Sequence, residues 1–377
     1  MELDHIKATD KILPFASLLF LALILFAGLW PFDPWPENTV SPLDGREGLR
    51  FEADGIVLSS GGEAEWIQSR FKNKAISIEL WVRPAAESSG GVSSIVAFYD
   101  SQSEKSFFVG QWKSHLLVRT QTSYTVRGDR NYREIGLREG LVAGREHFLT
   151  ITSDSTGTRI YSEGKPAGVN PAHQVFPEDA VFGRIILGNN AAGKQGWSGD
   201  ILGLGLYSRS LTADEVLNSF SRWKDGSRIS LHLEGTVGLY CFQEAAEREV
   251  KNCWGGTLNL LIPETFAPPR KILLSHSWDH LRHGWSSIQD VIVNIAGFIP
   301  FGFLTCALLL RRRHAGGGVA FIHAVLIGAF LSFTIEILQA WLPSRDSSLA
   351  DLAFNTLGTA LGAAACWLGS TKGAAFD

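Results

Sequence analysis

Six polar side chains stand at helical spacing inside or beside long apolar runs near the C-terminus. Asp290 and Asn294 are four apart, Glu336 and Gln339 three apart, Asp351 and Asn355 four apart. Each spacing puts both members of a pair on one face of a helix. Ionisable groups in hydrocarbon are costly, and they persist where they are paired or functional. Arg345 and Asp346 lie in the short segment 343–348 between the last two runs. If the runs cross a membrane in alternating directions, all three pairs reach one outer depth and converge with Arg345 on a polar pocket. Two kinds of chemistry stay open there. One is hydrogen bonding that ties three helices together, helped by small residues such as Gly358 and Gly362. The other is a catalytic or transport site for a lipid-linked envelope precursor, with Glu336 or Asp351 as acid or base. Three carboxylates beside one guanidinium leave at least one charge to be protonated or matched by a cation, which helix-tying alone does not explain.

Three further sets are weaker. His276, His280 and His283 fall at i, i+4 and i+7, a face that can bind zinc. Trp278 and Trp285 beside them fit an interfacial segment instead, so no metal is expected. Trp81, Trp112 and Trp197 offer flat apolar rings for a sugar to stack on, although tryptophans of small-strand domains mostly cover the core. Cys306 and Cys366 sit in apolar runs as packing residues, whereas Cys241 and Cys253 flank the polar stretch 243–252 as a candidate disulfide or as two separate thiols. A phosphate-binding glycine loop, a G-x-S-x-G elbow, an H-E-x-x-H helix and a dinucleotide fingerprint are all missing from the sequence. A net charge of -4 over 377 residues leaves no basic face for nucleic acid.

The elements that must position these residues follow from hydropathy. Residues 13–30, 292–310, 319–342 and 352–368 are apolar runs of about the length that crosses roughly 30 Å of hydrocarbon. Lys7 and Lys11 also give the first run the basic flank of a signal peptide, but no A-x-A-like cleavage site follows, and Trp30, Trp35 and three prolines mark an interface. Arg311, Arg312 and Arg313 between the second and third runs fix the cytoplasmic side. Lys7, Lys11 and Lys372 agree, so both termini are expected inside and residues 31–287 outside.

Between the first and second spans, alternation replaces helical periodicity. Ile76, Ile78, Leu80 and Val82 share one face of a strand, and Ser77, Glu79, Trp81 and Arg83 share the other. Runs at 116–119, 147–153, 159–162, 185–188 and 201–207 read alike, separated by Gly, Ser, Asn and Asp. Residues 48–51, 76–84, 147–152, 159–165 and 199–212, the last continuing through Ala213, Asp214, Glu215 and Val216 into a short helix, resemble the laminin G-like branch of the concanavalin A-like sandwiches. That resemblance implies a two-sheet antiparallel jelly roll that binds glycans or proteins, in some members with a calcium ion at the sheet edge; Asp100 and Asp179 are the loop acids to consider for one. Hydrolases of this superfamily align several carboxylates on one strand, and Glu79, followed by Leu80 and Trp81, has no such second acid.

The C-terminal part carries a second resemblance. Asp290 to Asn294 followed by residues 298–303, then Glu336 to Gln339, Pro343-Ser344-Arg345 and residues 351–358, look like the VanZ-like membrane family. Its founding members are associated with low-level resistance to the glycopeptide teicoplanin, and its members commonly have four spans. The expected chain is thus multidomain, an antiparallel β-sandwich plus a four-helix transmembrane unit: an N-terminal helix with flanks (1–36), an extracytoplasmic sandwich (43–263), a juxtamembrane linker (264–287) and a three-helix VanZ-like unit (288–370). The function expected of it is that of a non-enzymatic envelope protein of a bacterial inner membrane, linked to envelope polysaccharide or glycopeptide resistance. Its expected partners are membrane lipid and a glycan or envelope protein, and not nucleic acid.

Overall fold

The computed structural model describes residues 2–60, 64–71, 73–101, 106–121, 132–176, 182–226, 233–242, 248–275, 285–313 and 316–373. The chain divides into two compact units, one formed by Met1–Trp35 with Lys271–Asp377 and the other by Pro36–Arg270. His276, His280, His283 and Asp179 lie outside the described residues.

The first unit is helical. Helix α1 (Glu2–Leu29) packs against the first two of three later helices of similar length. Four stretches are long and apolar enough to cross a membrane: Ile12–Leu29, Ile288–Arg311, Gly317–Ala340 and Leu349–Thr371. The second begins four residues before the apolar run read from sequence, because Asp290 is carried inside the helix.

The second unit is an antiparallel sandwich. Its strands are β1 (Ser41–Pro42), β2 (Leu49–Phe51), β3 (Val57–Ser59), β4 (Ile76–Pro84), β5 (Ser88–Tyr99), β6 (Ser106–Lys113), β7 (His115–Gln121) and β8 (Tyr132–Leu137). They continue with β9 (His147–Asp154), β10 (Gly157–Ser162), β11 (Lys165–Asn170), β12 (Arg184–Leu187), β13 (Gly199–Tyr207), β14 (Thr236–Tyr240), β15 (Glu249–Val250) and β16 (Leu260–Leu261). One sheet runs β1-β2-β13-β4-β9-β10-β11, with β14 also paired to β13, and the other runs β15-β16-β3-β12-β5-β6-β7-β8. Helix α2 (Ala64–Arg70) has no counterpart in the sequence reading.

The alternation of β4 sets the core. Ile76, Ile78, Leu80 and Val82 are at most 1% exposed and join one hydrophobic cluster with Val96, Phe98, Phe107, Val109, Ile185 and Leu187 of the facing sheet. The opposite face of the first sheet is covered too. Leu211 and Thr212 lead into α3 (Ala213–Lys224), where the Thr212 side chain and Glu215 form a reciprocal capping box. Arg209 holds the same Glu215 carboxylate, with Nη1 and Nη2 donating at 2.9 and 2.6 Å. So anchored, α3 turns Val216, Ser219 and Trp223 inward. The nine residues of β13 are accordingly all buried.

The last three helices belong to the membrane unit: α4 (Trp285–Arg313), α5 (Gly317–Ala340) and α6 (Leu349–Gly373). Glycines let α4 and α6 touch backbone to backbone. A Cβ on Gly362 would lie 1.9 Å from the Ile299 carbonyl oxygen, and one on Gly358 would lie 2.3 Å from that of Ile295. Gly328 of α5 instead makes room for the Thr359 side chain of α6, where a Cβ would lie 2.3 Å from Oγ1.

Candidate functional site

The six paired side chains of the membrane unit meet at one end of the helix bundle. A cavity of about 460 Å³ is lined there by Asp290, Asn294, Glu336, Gln339, Arg345, Asp351 and Asn355, closed by Ile24, Ala27 and Gly28 of α1. The amides tie helices. Asn294 Nδ2 donates to Asp351 Oδ1 at 2.9 Å, joining α4 to α6, and Asn355 Nδ2 donates to Ser332 Oγ at 3.0 Å, joining α6 to α5. Gln339 Nε2 donates to the Gly28 carbonyl at 2.7 Å, and Arg345 Nη2 to that of Ala27 at 3.2 Å, so both hold α1. Hydrogen-bonded amides between helices, here one buried and two half-buried, help to fix the register of the packing.

The carboxylates are placed differently. Glu336 is 1% exposed, and its Oε2 accepts from the Ser348 N–H at 2.7 Å, which ties α5 to the turn that starts α6. Ser347 extends that turn: its Oγ accepts from Leu274 N–H at 3.0 Å, and its carbonyl accepts from Ser275 N–H at 2.9 Å. Among the described residues, Gln339 Oε1 and Asn355 Oδ1 are buried without a hydrogen-bond partner. A cavity with unmatched acceptors and three carboxylates is suited to a ligand that brings donors.

In the sandwich the three tryptophans separate. Trp197 is 1% exposed in the central core, where its Nε1 donates to Gln111 Oε1 at 2.7 Å. It cannot stack on a sugar, because its ring belongs to the packing between sheets. Trp112 is 42% exposed at the β6–β7 turn, with Lys113 Nζ 5.0 Å above its ring. Trp81 is half-buried: its ring meets Trp223 edge-on at 6.3 Å between centroids, and its Nε1 donates to Glu146 Oε2 at 3.1 Å. Two depressions result. A polar groove of about 310 Å³ is lined by Ser88, Ser93, Gln111, Lys194 and Gln195, and an aromatic pocket of about 200 Å³ lies between Trp81, Phe148, Phe220 and Trp223.

Glu79 is sealed between β4, β13 and α3. It is 0% exposed, and its Oε2 accepts from Tyr207 Oη at 2.9 Å and from Trp223 Nε1 at 3.0 Å. Burial pushes its carboxyl above the ordinary range, opposed by donors from Ser219, Trp223 and Tyr207. Burial likewise raises the Tyr207 phenol, and the adjoining Glu79 adds to the rise. This cluster was invisible in sequence, since its members are 128 and 144 residues apart. Cys241 and Cys253 are joined in a disulfide with Cα atoms 6.2 Å apart, while Cys306 and Cys366 are free and buried. Asp100 is 4% exposed, and among the described residues no three His, Cys, Asp or Glu side chains gather as a metal site.

Comparison with known proteins finds two matches along the chain. Residues 236–370 match the VanZ/LLP1 family model, and residues 58–217 match that of the concanavalin A-like lectin/glucanases superfamily. The first match reaches back to β14 of the sandwich. No protein of curated function matches. Among solved structures, the receptor-binding domain of a botulinum neurotoxin C/D mosaic serotype is 12% identical with a TM-score of 0.37, over 49% of this chain and 45% of that one. This chain thus spans under half the length of that relative. The CBM40 of the Ruminococcus gnavus IT-sialidase bound to α2,3-sialyllactose is 11% identical with a TM-score of 0.36, over 48% of this chain and 98% of that one. A heptameric SAP-like pentraxin from Limulus polyphemus is 14% identical with a TM-score of 0.29, over 48% and 78%. The chain is a multi-pass membrane protein that combines a VanZ/LLP1-like helical unit with a concanavalin A-like lectin/glucanase sandwich.

Proposed function

We propose that this protein is a non-enzymatic component of a bacterial cell envelope whose sandwich, on the extracytoplasmic side of the inner membrane, binds a glycan. The observation that carries the reading is the burial of Glu79 within a domain that matches a lectin/glucanase model. Glycoside hydrolysis needs two carboxyl groups flanking an accessible bond, about 5–9.5 Å apart. Glu79 is covered by Trp223 and Tyr207 and reaches no solvent. That burial supports a binding domain over a hydrolytic one. The positive-inside rule supports that side: Arg311 and its two neighbours lie at the end of α4 opposite the polar cavity.

Full-length protein in detergent, mixed with fluorescent envelope oligosaccharides, should retain some of them and return them intact. Shortened products would overturn the non-enzymatic reading, and absence of retention would overturn the binding one. Protease added to cells after outer permeabilisation alone should remove a tag placed in the sandwich. Digestion only after rupture of the inner membrane contradicts the orientation.

A second reading is favoured by the membrane cavity: Glu336 and Asp351 act there on a lipid-linked envelope precursor as acid and base. Under this reading Glu336→Gln and Asp351→Asn, in correctly inserted protein, raise or deplete the precursor pool. Unchanged pools remove it.

A further inference from the structure

We infer that the aromatic pocket beneath α3 is the sugar subsite of the sandwich and that it takes one neutral pyranose ring; the assignment rests on the glycan-binding reading above. Its floor is Phe148 and Trp223, 3% and 1% exposed with centroids 6.1 Å apart. Its walls are the half-buried rings of Trp81 and Phe220, the latter 5.4 Å from Phe148. The C–H face of a pyranose is apolar and flat, and aromatic rings bury such a face at little entropic cost.

The rim supplies the polar half of the recognition. Glu146 accepts from Trp81 Nε1 at 3.1 Å and from Arg46 Nη1 at 2.7 Å, and it is still about 38% exposed. Glu163, an exposed residue of the same lining, accepts from the Phe148 N–H at 2.9 Å through Oε1. Lys224 lines the same opening, with Nζ 5.9 Å from the Phe220 centroid. Acceptors and a donor around an apolar floor match vicinal hydroxyls around a C–H face.

Charge selects the ring type. Glu146 is paired with Arg46 and Glu163 shares the lining with Lys224, so the four formal charges cancel and favour a neutral ring over an acidic or an amino sugar. The larger groove near Gln111 offers amides and hydroxyls, but its tryptophan, Trp197, is locked in the core.

The test uses full-length protein in lipid nanodiscs and saturation-transfer NMR with the methyl glycosides of glucose, galactose, mannose and N-acetylglucosamine, with glucosamine and glucuronate as charged comparators. A neutral glycoside should bind, and Lys224→Ala and Phe220→Ala should each weaken it about tenfold or more. Trp112→Ala, outside the pocket, should leave it unchanged. Binding that survives both pocket variants places the subsite elsewhere and leaves the glycan reading intact. Preference for glucosamine or glucuronate with the same dependence on Phe220 overturns the neutral-ring assignment. If no saccharide binds wild-type protein, the glycan reading falls with it. Because Lys224 is exposed, its variant remains informative should Phe220→Ala fail to fold.

Discussion

Replacing Gly203 by alanine tests how α3 is held over the first sheet. A Cβ at this position would lie 2.3, 2.6 and 3.0 Å from three carbons of the Trp223 ring, where ordinary contact begins near 3.4 Å. The ring must therefore retreat by about 1 Å. Its retreat is resisted: Trp223 is 1% exposed, packed against Trp81 and Phe148, and bonded through Nε1 to Glu79 at 3.0 Å. Overpacking of this kind costs about 1–3 kcal/mol, and leaving the buried Glu79 carboxyl short of its indole donor about 1–3 kcal/mol. Together they set a destabilisation of about 3–5 kcal/mol, which lowers the melting temperature of a domain of this size by roughly 10 °C. Near-UV circular dichroism of the full chain during a thermal ramp reads the shift. The double variant Gly203→Ala with Trp223→Leu should be less destabilised than the two single changes added together, because the smaller side chain leaves room for the methyl. Additive effects, or a melting temperature for Gly203→Ala within about 1 °C of wild type, would show that α3 is not anchored through this contact.

Three other outcomes are expected. Glu215, held by Arg209 and the Thr212 cap, has its carboxyl lowered to about 2, so it contributes stability above the usual glutamate range that disappears as pH falls from about 4.5 towards 2. Glu215→Gln should lose that part of the acid transition and, through the cap, about 1 kcal/mol at neutral pH, measured by urea unfolding. The Cys241–Cys253 bridge closes a separation of 12 residues, and replacing both by alanine should cost about 2–4 kcal/mol in the same assay. In the membrane unit, Gly362→Ala drives a methyl into the Ile299 carbonyl and should weaken α4–α6 packing by about 1–3 kcal/mol in detergent unfolding, whereas Gly369→Ala, with nothing within 4 Å, should be neutral.

Much of this architecture can be read from local pattern. The four apolar runs and the alternation of Ile76, Ile78, Leu80 and Val82 depend on period and length alone, and they correspond to helices and a core strand in the structure. The capping box at Thr212 and Glu215 is local as well. The polar pairs converge because the spacings put each on a face and the antiparallel helices bring those faces to one end. Long-range partners were not legible. Nothing near Trp197 reveals that Gln111, 86 residues away, satisfies its indole in the core. Glu79 looks like an outward strand acid until α3 closes over it, and the pocket at Trp81 draws on four separate stretches of chain. The division of labour in the membrane cavity is similarly tertiary: the amides reach across helices to Asp351, Ser332 and Gly28, leaving Glu336 to bind the turn at Ser348.

The most direct measurement is binding of fluorescent neutral oligosaccharides to sealed membrane vesicles from bacteria producing the full chain, prepared right-side-out and inside-out. Saturable binding confined to the right-side-out vesicles, and lost with Lys224→Ala, is the predicted result. Binding no greater than that of vesicles lacking the protein, or confined to the inside-out preparation, would contradict an extracytoplasmic glycan-binding sandwich.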